Sequence, residues 1–235
     1  MISKANPPIP DTDKPLSRRL RNVSFGGHDQ ENDEFTAAPG DFYMGILTGG
    51  LTRAQIGMNV YLHYLIYTEL EAAADSHVAK QPDFPFHFPE LHRVPALVRD
   101  LEYWLGAQWQ AQVHTTENTE IYATRIREVC FDSVPMYVAH QYTRYLADLS
   151  GGQFIGRKFR QAYGLNDTVN HAGAEFHDFP DIVGTPQEFK DHYRNVLDAY
   201  PFSEHDKRAI EDEVRYCYLL NNRMAADLEA ELHAQ

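Results

Sequence analysis

The stretch VAHQYTRYLADLSGGQFIG, residues 138–156, decides both the fold and the site. On a helix, Thr143, Ala147 and Gly151 stand at i, i+4 and i+8 and stack on one face. Ser150 and Gly152 flank that row. A row of such small side chains lets a neighbouring backbone or a flat ligand come close. Glycine inside a helix costs about 1 kcal/mol relative to alanine, and the pair Gly151-Gly152 predicts a loosened or kinked rod. The row has two readings, a crossing point for another helix or a ligand surface. Arg144 and Asp148 lie at i, i+4 beside it, with His140 and Tyr145 nearby. On a solvated face such an ion pair is worth well under about 1 kcal/mol. Over a flat ligand, the same carboxylate can organise water and protons.

Outward from this stretch the pattern stays helical, and alternating β-branched runs are almost absent. The stretch sits in a long predicted helix from about Val134 to Tyr163, with Gly164 as a left-handed stop. Thr52 caps an earlier helix, and Gln55 can reach back to it. That helix runs from Arg53 to about His77, with Ile56, Val60, Leu62, Leu65, Ile66 and Leu70 at helical spacing. Three prolines in QPDFPFHFPE (81–90) exclude a helix there. Residues 92–113 read as one or two helices with Leu97, Leu101, Tyr103, Trp104 and Trp109 as core, and 117–131 as another. Thr185-Pro186-Gln187-Glu188 is a cap, a first-turn proline and a box partner in sequence. The helix it opens stops before Pro201, and Ser203 to Asp206 opens the last one. Residues 1–15, polar and rich in proline, read as a disordered tail. Residues 16–235 then form one all-α domain of about seven or eight helices.

Composition narrows the function. The 235 residues carry 21 Lys and Arg against 34 Asp and Glu, a net charge of −13. Such a chain repels phosphate, so nucleic acid is not an expected partner. Two cysteines, Cys130 and Cys217, are too few for a disulfide framework or a zinc site. No apolar run reaches the roughly 18 residues that span a bilayer, and neither a signal peptide nor an apolar C-terminal tail is visible. The expectation is a soluble, cytoplasmic protein without a membrane anchor.

AHQYTRYLADLSGGQ closely resembles the signature of the heme oxygenases. The resemblance extends to HYLIYTELE (63–71), FPELHRVPALVRDLEYWLGAQWQ (88–110), EFKDHYRNVLD (188–198) and YLLNNRMAADLEAEL (218–232). It covers about Leu16 to Leu232. It implies heme b as substrate and cofactor at once, sandwiched between a proximal and a distal helix. O2 and electrons, from NADPH through a reductase or from a ferredoxin, open the ring to biliverdin, CO and ferrous iron.

The resemblance also implies roles for residues. Asp148 matches the family's distal aspartate, expected to hold a water that hydrogen-bonds iron-bound O2. Arg144, Tyr67 and Asn221 match polar positions of the distal network. Tyr145 and His140 match it too, but read better as satisfied core polar groups. Lys190 and Arg194, at i, i+4 on one face, match propionate-binding positions, as do Tyr142 and, on the first helix, Arg21. Thr143, Ala147, Ser150, Gly151, Gly152 and Tyr218 line the heme. The proximal ligand falls on His28, with Glu31 and Asn32 near the offset of a second-shell partner. The chain departs from the family at Gly26-Gly27, in the longer segment 32–50, at Ala225, and at Ala147, where the family usually has glycine. The alternative from another class is a heme-binding sensor or carrier without ring-opening activity. A di-iron carboxylate oxidase needs Glu-x-x-His pairs, and the sequence has none.

Overall fold

Long apolar helices in a chain of this size can bury their surfaces only against one another. The computed structural model describes residues 13–26, 40–166 and 171–234. Among these, nine α-helices and no strand are found. They are α1 (Leu16–Gly26), α2 (Asp41–Thr48), α3 (Arg53–Lys80), α4 (Val94–Leu105), α5 (Glu117–Val129), α6 (Val134–Gln141), α7 (Gln153–Ala162), α8 (Pro186–Ala199) and α9 (Glu204–Ala234). Counting α6 and α7 as the single rod predicted from sequence gives eight. All of the predicted tail up to residue 12 lies outside the described residues.

The helix starts follow the sequence logic. Gln55 N donates to Thr52 Oγ1 at 3.3 Å, and Thr52 N donates back to Gln55 Oε1 at 2.8 Å. Thr185 and Glu188 repeat the arrangement at α8. Gly164 ends the α6–α7 rod at φ +69°. Within the rod, two π turns replace α-helix at Tyr142–Leu146 and Asp148–Gly152. Each closes i→i+5 bonds and widens the helix locally, a geometry that clusters at functional sites.

Helix α3 is the central member, packed on α4, α5 and α6, with Leu62, Ile66, Tyr67 and Leu70 fully buried. Helix α9 closes the other side against α1, α5 and α6. Arg19 of α1, 3% exposed, ties these two helices by donating to Glu211 at 2.7 Å and Glu204 at 2.9 Å. Cys130 and Cys217 are buried and unpaired, and burial pushes both thiols well above the ordinary range. Among the described residues no helix is long and apolar enough to cross a membrane.

The turn at 173–177 folds back onto α4 and α7. Asp100 accepts Glu175 N at 2.9 Å and Phe176 N at 2.8 Å, and Trp104 Nε1 donates to the Gly173 carbonyl at 2.7 Å. His177 then lies flat on Gly156, where an added Cβ falls 2.6 Å from His177 Cβ. Overpacking of this kind costs about 1–3 kcal/mol, against about 1 kcal/mol gained in helix propensity. Gly156→Ala is therefore expected to lower stability in urea unfolding. A variant as stable as the parent would show that the turn docks without this contact.

Candidate active site

The site grows from one buried cation. Arg144 is 7% exposed, and an unpaired guanidinium at that depth is expensive. Three helices supply its partners. Nη1 donates to Asn221 Oδ1 of α9 at 2.5 Å, and the guanidinium lies 4.9 Å from the Tyr67 ring centroid of α3. Asp148, one turn along the rod, faces it as counter-charge. The Tyr67 hydroxyl donates to Asp148 Oδ2. Tyr67, Arg144, Asp148 and Asn221, singled out separately in the sequence, thus form one cluster.

Asp148 opens onto a cavity rather than onto bulk solvent. Burial pushes its carboxyl up to about 6, against the opposing pull of Arg144, the Tyr67 hydroxyl and Arg93. The group is thus poised to hold or release a proton near neutrality. The cavity has a volume of about 780 Å³, within the size of small-molecule pockets. Its wall is mainly apolar, with Ile56, Val60, Ile155, Phe159 and Met224 among the lining residues. Arg144, Asp148 and Gly152 form one edge.

The residues matched to propionate binding gather on the neighbouring side of the rod. A second cleft, about 460 Å³, is lined by Ser17, Arg18, Arg21, Asn22 and Arg194. Tyr142 and Tyr218 lie close to Ser24 of α1, and Tyr142 also lies close to Arg21 and Arg194. Lys190 Nζ donates to Ser150 Oγ at 3.2 Å, and Arg194 pairs with Asp191 at 2.8 Å. In a chain of net charge −13 this is a local concentration of cations suited to carboxylates. Ala147, Ser150 and Gly151 are exposed between the two spaces, and a Cβ at Gly151 would meet nothing within 4 Å. That open strip of rod suits a flat ligand.

One part of the sequence reading needs correcting. Thr143 does not share the exposed strip with Ala147 and Gly151. It is 1% exposed and turns inward, donating to the Ala139 carbonyl at 2.8 Å. The row is buried at Thr143 and exposed at Ala147 and Gly151, so it does not share one environment along its length. The cavity edge instead follows Arg144, Asp148 and Gly152. His140 and Tyr145 are core polar groups. His140 Nε2 is 2.9 Å from Glu213 Oε1, and Arg125 grips the same carboxylate at 2.9 and 2.7 Å. Tyr145 is 2% exposed and stands 3.5 Å from Glu71. His28, Gly27, Glu31 and Asn32 lie outside the described residues.

Sequence reasoning missed several titratable groups on the cavity wall, among them His63, Asp100 and His177. Burial, with Arg144 second, depresses His63 to about 3, and its Nδ1 is 2.8 Å from the Asn59 carbonyl. Burial also lowers His177 to about 4 and raises Asp100 to about 7. Both imidazoles are therefore neutral at physiological pH. A signal for His63 was available, because it precedes Tyr67 by one helical turn and shares its face.

Residues 15–227 match the family model for heme oxygenase. The chain belongs to the heme oxygenase family. Among relatives, it is 32% identical to heme oxygenase 1 of Synechocystis sp., over 92% of this chain and 86% of that protein. It is 35% identical to the heme oxygenase of Pyropia yezoensis over the same shares. A match of 36% to heme oxygenase 2 of Synechocystis sp. spans 71% of this chain and 66% of that one. In structure it is similar to heme oxygenase-2 of that cyanobacterium in complex with heme and NO. There the TM-score is 0.79 at 32% identity, over 94% of this chain and 88% of the other. The heme complex of heme oxygenase-1 gives the same TM-score at 29% identity, over 94% and 95%.

The raised Asp148 carboxyl sets a measurable pH dependence for this family member. The ordinary value is 3.8, so between about pH 4 and 6 the folded chain keeps a proton that the unfolded chain has released. Stability falls as pH rises through that window and is level above it. Asp148→Asn, which can still accept from Tyr67, removes this contribution. Paired urea titrations of the heme-free proteins are expected to show the variant gaining about 1–3 kcal/mol over the parent between pH 4 and 7. Parallel stability curves across that range would place the Asp148 titration elsewhere.

Proposed function

We infer that this chain binds heme and opens its ring oxidatively to biliverdin, CO and Fe(II). The reaction consumes O2 and electrons from a ferredoxin or an NAD(P)H-dependent reductase. The observation that carries this reading is the Asp148 carboxylate at the cavity edge, held by Tyr67 and Arg144 and tuned near neutral pH. Bound heme supplies both the iron that activates O2 and the ring that is oxidised. Arg21, Lys190 and Arg194 hold the propionates, and their joint placement sets how the macrocycle is rotated. The flat strip at Ala147, Ser150 and Gly151 lets the ring lie against the rod. His28 would supply an imidazole to hold the iron.

Asp148 accepts a hydrogen bond from a water at the open side and returns protons to it. Arg144 stays charged and keeps the carboxylate oriented, while Asn221 and Tyr67 fix the guanidinium and the aspartate in turn. The apolar wall excludes bulk water, which strengthens these charges. A carrier needs no such carboxylate, so Asp148 favours the oxygenase over a heme-binding sensor or carrier. Reduced, buried Cys130 and Cys217 accord with a cytoplasmic setting.

Hemin added to the purified protein is expected to bind 1:1 and, with reductant under air, to yield biliverdin in the visible spectrum. Asp148→Ala should keep hemin binding and lose product formation by about 100-fold or more, the scale of a lost acid–base group. His28→Ala should change the spectrum of bound hemin. Stable hemin binding by the parent without biliverdin would select the carrier instead.

A further inference from the structure

Helix α2 is short, and although Gly49 closes its C-terminal end in the left-handed conformation, its start has no local side-chain cap. Isolated helices of eight residues are unstable in water, and α2 has no side-chain cap at Gly40, the residue before it. Two side chains from distant parts of the fold hold it at both ends. At the start, Glu229 of α9 accepts Asp41 N through Oε1 and Phe42 N through Oε2, each at 2.8 Å. This satisfies two of the free amides that every helix start leaves and places a negative charge at the favourable end of the dipole. His233, one turn further along α9, stands 3.1 Å from Glu229 Oε1 and 3.7 Å from Asp41. At the far end, the Tyr163 hydroxyl donates to the Gly45 carbonyl at 2.8 Å and accepts Leu51 N at 3.0 Å.

Gly40 fits this clamp for a steric reason. Its φ is −67°, a backbone shape any residue adopts, yet a Cβ there would stand 2.5 Å from Glu229 Oε2. The glycine makes room for the carboxylate. Partial burial works against ionisation of Glu229, and the Phe42 and Asp41 amides outweigh it. Gly40, Phe42, Tyr43, Ile46 and Glu229 all face the cavity that Asp148 borders.

We propose that Glu229 and Tyr163 are positioning residues that clamp α2 as a wall of the cleft, and that release of this wall governs how fast heme leaves. The second half rests on the proposed function, and the first does not. Without the Glu229 cap, α2 opens more often while the rest of the bundle stays closed, because its remaining support comes mainly from α7 and the end of α9.

Hydrogen exchange of the heme-free protein tests the clamp directly. Glu229→Gln is expected to speed exchange at amides 41–48 about fivefold, the effect of one lost helix cap, and to leave α5 unchanged. Gly40→Ala should do the same by displacing the carboxylate. Combining Gly40→Ala with Glu229→Asp, one methylene shorter, should restore slow exchange. Heme dissociation, read by transfer to apomyoglobin, is expected to rise about fivefold in each single variant and to recover in the double. Unchanged exchange at 41–48 would overturn the clamp. Faster exchange with unchanged heme dissociation would overturn α2 as the governing wall. Failure of the parent to take up hemin would instead overturn the proposed function, and the exchange data would still decide the clamp.

Discussion

A guanidinium sealed inside a helical bundle must find its counter-charge and hydrogen bonds within the protein. Arg144 does so by drawing on three elements at once: Tyr67 from the central helix, Asp148 from its own rod and Asn221 from the last helix. Removing any one of these leaves the others mismatched, so the cation fixes the relative register of the three helices. The same requirement creates the chemistry. At Asp148 burial outweighs the nearby positive charge, and its proton affinity rises toward neutral. The geometry of the site and the packing of the core here have one cause.

The rod that carries Arg144 and Asp148 is not a regular α-helix there but takes two π turns. A regular α-helix through 142–152 would carry the Thr143, Ala147 and Gly151 row along one stripe. In this rod Thr143 is in the core and Ala147 and Gly151 are open, while Arg144, Asp148 and Gly152, at the same spacing, line the cavity together. Adjacent turns of the rod carry a polar edge toward the cavity and an exposed strip of small residues.

Most of the architecture was legible because its signals are local. The capping pairs Thr52/Gln55 and Thr185/Glu188, the stop at Gly164 and the prolines of 81–90 each act within a few residues. The Gly151-Gly152 pair announced a disturbed rod, but which kind of turn would form depends on packing that no window of sequence contains. The Tyr67, Arg144, Asp148 and Asn221 cluster was reached through family resemblance, since its members lie up to 154 positions apart and share no periodicity. His63, Asp100 and His177 escaped notice for a related reason. A single histidine or aspartate on a helix face looks the same whether it meets a cavity or solvent. The role of Glu229 was equally hidden, because the amides it caps belong to a helix 188 residues earlier in the chain.

The two thiols carry a consequence for durability. Chemistry that brings O2 together with reduced iron sheds peroxide and related oxidants into its own surroundings. Sulfur is attacked chiefly as thiolate and chiefly where it is accessible. Cys130 and Cys217 are sealed in the core and held in the protonated form. The fold thus keeps these two thiols out of reach of such oxidants.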